Sequence, residues 1–279
     1  MSDLEYTIAP PGRMISIDWR ELKRFRDLFI VLAWRDIAVR YKQTALGVFW
    51  AILQPLVTMV VFTFIFHVIG KVPTQFSAPY PVFLYVGLLF WRYYSDTLTN
   101  AAGSMVANAG LIQKIYFPRL IVPATAAVTG LVDFGIGAVI LAGMMIYYGF
   151  CPPLIGLLIL PLLMICSILC ALGMGLFAAS LNVKYRDVRH ALPFFISISM
   201  FITPVVYSVQ ALDKYPVAKA MMLWLNPISG VISTARAGLL SHQPVNWGIL
   251  GVSALTSLIV FICGVCYFQN AERHFADIV

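Results

Sequence analysis

The stretch Arg40-Tyr41-Lys42-Gln43-Thr44-Ala45-Leu46-Gly47-Val48-Phe49-Trp50-Ala51-Ile52-Leu53-Gln54-Pro55-Leu56 decides what kind of molecule this chain builds. A basic, tyrosine-bearing polar segment passes through Gly47 straight into a long apolar run with Trp50, Gln54 and Pro55 in its first turns. That is the character of a chain leaving an aqueous interface and entering a bilayer, whose hydrocarbon core takes about 20 apolar residues to cross. The composition agrees. Of 279 residues, 61% are hydrophobic and 11% charged, whereas a soluble domain keeps roughly a quarter of its residues charged. The mean hydropathy is +0.87. So few charges cannot clothe a water-facing surface, and lipid is therefore the solvent for most of the molecule.

The net charge of +7 does not indicate nucleic acid, because the basic residues lie between apolar runs rather than on a polar domain. Cys166, Cys170, Cys263 and Cys266 sit inside apolar runs and Cys151 at a short turn, which reads as small apolar packing rather than disulfide or metal chemistry. Acidic residues and Pro10-Pro11-Gly12 stand where a signal peptide would carry its apolar core, so the N-terminus is expected to remain cytoplasmic.

Residues 1–45 read as a loose tail and an amphipathic interface helix, and residues 46–279 as a transmembrane domain. Asp18 followed by Glu21 suits a capping box. Leu22, Phe25, Phe29 and Leu32 then share one helix face, and Arg20, Lys23, Arg24 and Asp27 the other. The expectation is an in-plane helix with its apolar side in the acyl boundary and its basic side toward anionic headgroups; an ordinary amphipathic helix packed on a core is the alternative. Six spans are predicted at about 46–69, 81–103, 120–148, 154–181, 191–210 and 246–269, with Gly149, Pro152 and Pro153 turning the third into the fourth.

Orientation follows the Lys and Arg residues in the flanks. One side receives Arg13, Arg20, Lys23, Arg24, Arg26, Arg35, Arg40, Lys42, Lys114, Arg119, Lys184, Arg186, Arg189 and Arg273. The other receives Lys71, Lys214, Lys219 and Arg236. Both termini are thus expected in the cytoplasm. Between about 211 and 244, two apolar pieces, each too short to cross, flank Asn226-Pro227. Two half-helices dipping into the outer leaflet account for this, as do two helices lying flat on the surface. The fold class is an all-α polytopic membrane protein with outer-side re-entrant half-helices.

No phosphate-binding glycine loop, nucleophile elbow or zinc-spaced histidine pair occurs, so no catalytic residue and no cofactor are assigned to this chain. Arg92, Asp96 and Asp133 fall within spans, where charges are costly and either pair or face water. They serve as a polar lining, or as an ion pair joining spans two and three; a proton relay is the third option. The segment Asn108 to Arg119 offers a short amphipathic helix ended by Pro118. Gln113, Lys114, Ile115, Tyr116, Phe117 and Pro118 make an aromatic patch with a basic rim, suited to docking a partner. An interfacial turn that only anchors helix ends explains it too. Trp50, Gln54 and Thr58 on span one, Phe201, Thr203 and Tyr207 on span five, and Trp224 and Asn226 beyond it mix aromatic rings with hydroxyls and amides. That mixture suits a passage for sugars, although helix packing explains any single one. Ala171, Gly175 and Ala179 form a small-residue stripe for close helix approach.

Several of these segments together resemble one family. The opening stretch 40–56, the segment 108–119, the basic loop 182–190 and Leu225-Asn226-Pro227 are similar to those of permeases from ABC transporters that export polysaccharides and polyol phosphates, with the O-antigen exporters nearest. The resemblance implies a homodimer of six-span permeases in the bacterial inner membrane, bound to two ATP-binding cassette subunits that hold ATP and Mg. It implies a lipid-linked glycan as substrate. It makes residues near 106–119 the coupling helix seated on the ATPase, with Arg40 and Tyr41 in the same partner-facing set. Teichoic acid, capsule, lipid or drug exporters share the plan, and a proton-coupled transporter or a membrane glycosyltransferase competes with it. The membrane's own lipids are the remaining partner, and nucleic acid is not one.

Overall fold

The computed structural model describes residues 19–42, 47–71, 78–185, 187–240 and 245–272. Asp18 of the expected capping box, the Gln43–Leu46 part of the opening stretch, and Arg13, Arg186 and Arg273 lie outside them. Everything described is helix or short connection. The chain begins with α1 (Trp19–Arg24) and α2 (Arg26–Lys42), and α3 (Gly47–Phe62) continues as a π-helical segment to Ile69. Next come α4 (Tyr80–Ala107), the four-residue α5 (Ala109–Ile112), α6 (Ile121–Tyr147) and α7 (Leu154–Lys184). The chain ends with α8 (Val188–Ile202), α9 (Pro216–Leu225), α10 (Pro227–Leu240) and α11 (Trp247–Glu272).

Local chemistry sets these boundaries. Gly149 adopts φ +65°, and Phe150 N–H returns to Met145 O at 2.8 Å, which closes α6 with a left-handed cap. Pro153 precedes α7 where no helical N–H is needed. Asn246 accepts from the amides of Gly248 and Ile249 at 3.0 and 3.2 Å and so opens α11.

Four helical stretches among the described residues are long and apolar enough to cross a membrane: Phe49–Ile69, Ile121–Tyr147, Leu154–Lys184 and Trp247–Glu272. At 28 residues α4 has the length, but Arg92, Ser95 and Asp96 make it more polar. It can carry them because it is the central helix, packed on α6 and α7, with every residue from Val82 to Trp91 buried. The expected fifth span is different. α8 has 15 residues, short of the roughly 20 a crossing takes. The helix stops at Thr203-Pro204, and residues 203–208 run on irregularly.

The helices share two cores. The basic end gathers Leu32, Met105, Phe117, Ile121, Val122, Leu176, Ala179, Val265 and Phe268. The far end centres on Val82–Trp91, with Leu163, Ile228, Val231, Ile232 and Leu240 packed around them. The apolar face expected at Leu22, Phe25, Phe29 and Leu32 packs into the basic-end core. Ile30, Val31, Trp34 and Val39 of α2 are the large apolar residues left outward. The reason is a ready acceptor surface: α2 lies against α6, whose first turns and the neighbouring Phe117 complete the cluster.

α10 dips along α7. Its Gly238 lies against Gly156 in the first turn of α7, and its Ile228 backbone meets Cys170, fourteen residues along and thus about 21 Å deeper. α9 and α10 meet at Asn226-Pro227, where the Asn226 amide donates to Thr203 Oγ1 at 2.7 Å.

Candidate functional site

Three groupings of polar and aromatic residues stand out, beginning with the elbow at the basic end. Asn108 closes α4, its side-chain amide donating to Ser104 O at 2.9 Å while its oxygen accepts from Arg35 at 2.8 Å. After α5 the chain projects Gln113, Lys114, Ile115 and Tyr116 outward. Tyr116 is 83% exposed and Ile115 53%. Phe117, expected on the exposed patch, is 4% exposed instead and sits in the basic-end core. A projecting tip needs a fixed base, and this ring supplies one. Arg119 donates to Glu272 O at 2.8 Å and lies 3.8 Å from its carboxylate, tying the elbow to the end of α11. The Tyr116 hydroxyl is raised from its usual pKa, first by the nearby Glu21 carboxylate and then by partial burial.

The second grouping lies within the bundle. Arg40 and Tyr41, at the end of α2, both bond the carboxylate of Asp133 on α6. Arg40 is also 4.0 Å from Asp96 on α4, and Asp96 is 3.5 Å from Arg92 one turn earlier. Arg92 in turn donates to the Gln54 side chain of α3 at 2.8 Å. Burial and the bond to Asp133 raise the Tyr41 pKa. Arg40 and Tyr41 are therefore turned into the bundle and away from the elbow. The ionic link to Asp133 comes from Arg40, while Arg92 serves Asp96 and Gln54. By helix rise, Asp96 and Asp133 lie about 17 Å from the basic ends of their helices.

Beside this network is a cavity of about 220 Å³ lined by Gln54, Thr58, Tyr85, Trp91, Arg92, Ser95, Asp96, Asp133 and Gly137, among others. Thr58 donates to Gln54 O at 2.9 Å, holding both on one face of α3.

The third grouping is centred on Arg236, counted in the sequence among outer-loop charges. It is 2% exposed. Its guanidinium donates to Phe83 O at 3.1 Å, Pro204 O at 2.6 Å, Tyr207 O at 3.0 Å and also Val205 O. It stacks over the Phe83 ring at 3.7 Å. Residues 203–208 have left the helix, and their carbonyls cannot stay unbonded in a nonaqueous interior. A planar fork of five N–H donors satisfies several at once. Tyr80 adds a bond to Val206 O at 2.8 Å. The signal was present in the sequence: Arg236 is the one charge between Lys219 and Glu272, and an isolated charge in apolar sequence marks a role by default.

The remaining residues proposed to line a passage separate by environment. Trp50, Phe201 and Trp224 are more than half exposed. Trp224 borders a hollow of about 430 Å³ between α9 and the start of α11, with Asp213, Lys219 and Asn246. Thr203 is buried and, with Asn226, is occupied in fastening the hairpin tip. Tyr207 donates to Ile202 O at 2.7 Å, bridging the break after α8.

A bundle of apolar helices long enough to cross a membrane, with an ionic network between them and an exposed elbow at one end, is the architecture of a polytopic membrane protein. Comparison with known proteins narrows the class: residues 27–240 match the ABC-2 type transporter family, and the chain belongs to that family. It is 27% identical over 253 residues to the O-antigen export system permease protein RfbA of Klebsiella pneumoniae, covering 91% of this chain and 95% of the relative. Its identity to RfbA of Myxococcus xanthus is 26% over 258 residues, 92% and 97% of the two chains. The polysialic acid transport protein KpsM of Escherichia coli is 24% identical over 245 residues, 86% and 91%.

Proposed function

We propose that this chain is the permease subunit of an ATP-driven polysaccharide exporter, moving a lipid-linked, O-antigen-like glycan across the bacterial inner membrane from the cytoplasmic to the outer face. In this reading two copies form the passage. Two separate ATP-binding cassette subunits, holding ATP and Mg, drive it from the cytoplasmic side, where both termini of this chain lie. The observation that carries the proposal is the elbow. Ile115 and Tyr116 stand exposed at its tip, while Phe117 and the Arg119–Glu272 contacts tie its base to the bundle core and to α11. Force applied at an exposed tip on an anchored base passes into the helices instead of bending the loop. The named activities of the relatives, O-antigen export and polysialic acid transport, supply the substrate class.

The chain itself brings no hydrolysis to this cycle; its work is mechanical. Arg40, Tyr41 and Asp133 join α2 to α6, and Asp96, Arg92 and Gln54 continue the network through α4 to α3. Displacement of the basic end is therefore carried toward the middle of the bundle. Reconstitution in proteoliposomes, with and without the ATPase subunit, tests the reading. Glycan translocation that requires both the subunit and ATP is expected. Full translocation by the isolated chain would overturn it and favour an ion-driven carrier.

A further inference from the structure

The cavity beside the ionic network holds an unexplained group. Tyr85 is 1% exposed, and its hydroxyl has no hydrogen-bond partner although it lines the cavity. A buried hydroxyl left unpaired costs about 1–3 kcal/mol, and phenylalanine would pack the same ring without that cost. A Cβ at Gly137 would come 2.5 Å from Leu89 Cδ1 and 3.6 Å from the hydroxyl, so the missing side chain leaves this part of the wall uncrowded. The rest of the wall is mixed. Gln54 has its oxygen engaged by Arg92 and its amide protons left to donate. Ser95 and Thr58 hydroxyls, the Asp96 and Asp133 carboxylates and the Trp91 ring complete the wall.

Resting on the exporter reading, we propose that this cavity is a subsite for a single uncharged sugar ring of the translocated glycan, with the Tyr85 hydroxyl, Gln54 and Asp96 as its hydrogen-bonding groups. Three features select that ligand. Its volume of about 220 Å³ is below the ~300–1,000 Å³ of sites for drug-sized molecules, so it holds one ring and not a run of them. Two arginines are matched by two aspartates in the network, leaving no net charge to draw in a phosphate or a carboxylated sugar. Donors and acceptors are interleaved with aromatic faces, the surface that a polyhydroxylated ring with apolar faces complements.

The test uses the full-length chain in lipid nanodiscs, titrated with a neutral mannose hexasaccharide and, separately, with a sialic acid hexasaccharide. Binding is read from tryptophan fluorescence. The neutral sugar is expected to bind more tightly than the acidic one. Tyr85→Phe is expected to weaken it by about three- to tenfold, the loss of one hydrogen bond. Without sugar, the same variant is expected to unfold at the wild-type temperature or higher, because the hydroxyl bonds nothing in the protein. An affinity for neutral sugar unchanged in Tyr85→Phe means the cavity holds water alone and overturns the subsite. Equal binding of the acidic sugar overturns it too, as does a lowered unfolding temperature of sugar-free Tyr85→Phe. If the wild-type permease with its ATPase moves glycan while Tyr85→Phe binds sugar normally, only the subsite fails. If the wild-type pair moves no glycan, the exporter reading itself fails.

Discussion

At the scale of single residues, neighbours with similar chemistry take opposite roles. Tyr116 and Phe117 both read as exposed aromatics in the sequence, because an irregular segment has no periodicity to assign faces. The structure exposes one and buries the other. Replacing Phe117 with alanine removes a fully packed ring and is expected to cost about 3–5 kcal/mol, whereas Tyr116→Ala is expected to stay within about 0.5 kcal/mol of the wild type. Thermal unfolding in detergent distinguishes them, and equal losses would contradict the assignment of anchor and tip. Arg236 was hidden for a different reason. Counting Lys and Arg by loop treats every charge as solvated, and only three-dimensional contact shows carbonyls converging on one guanidinium. Arg236→Met is expected to lower stability by about 3 kcal/mol or more, since several buried carbonyls lose their donor together. Arg236→Lys, with a single donor centre, is expected to recover only part of it.

At the scale of elements, helix positions were legible wherever apolar length alone decides. The predicted 120–148, 154–181 and 246–269 correspond to α6, α7 and α11 within a few residues. Length could not reveal that the fifth predicted span breaks at Thr203-Pro204, since the residues beyond remain apolar. The break depends on donors arriving from α4 and α10. Close crossings were partly legible. The small-residue stripe on α7 pointed to tight packing, and Gly175 does face Ala101 of α4. A close approach outside that stripe joins Gly173 to Gly264 of α11, where an added Cβ on Gly264 would lie 2.1 Å from Gly173 O. Gly264→Ala is therefore expected to push α7 and α11 apart and lower the unfolding temperature, while Gly251→Ala, with open space around it, is expected to leave it unchanged or raise it. The link between α2 and α6 makes another prediction. Asp133→Asn removes the carboxylate shared by Arg40 and Tyr41, so amide hydrogen exchange across Arg26–Lys42 should accelerate. Unchanged exchange there would mean that apolar packing alone holds α2.

For the whole molecule, composition and flanking charge were enough to establish a polytopic helical protein, because too few charges leave only lipid as solvent. Membership of the ABC-2 type transporter family agrees with the motif-level resemblance. The three-dimensional sites were less legible, since each is assembled from distant segments: α2, α3, α4 and α6 around Asp133, and α4, α10 and the broken stretch around Arg236. The two ends also differ in construction. The basic end has its own small core under the elbow, and the far end has a larger core around α4 in which α10 is clamped. In the proposed exporter, force would enter at the basic end while the far end holds its packing. The measurement that bears most directly on this is the paired substitution Ile115→Ala/Tyr116→Ala, assayed for ATPase-subunit binding and for ATP-driven glycan flux in proteoliposomes. A folded permease with motor binding weakened at least about tenfold and flux lost in proportion is the predicted result. Wild-type binding and wild-type flux together would contradict it.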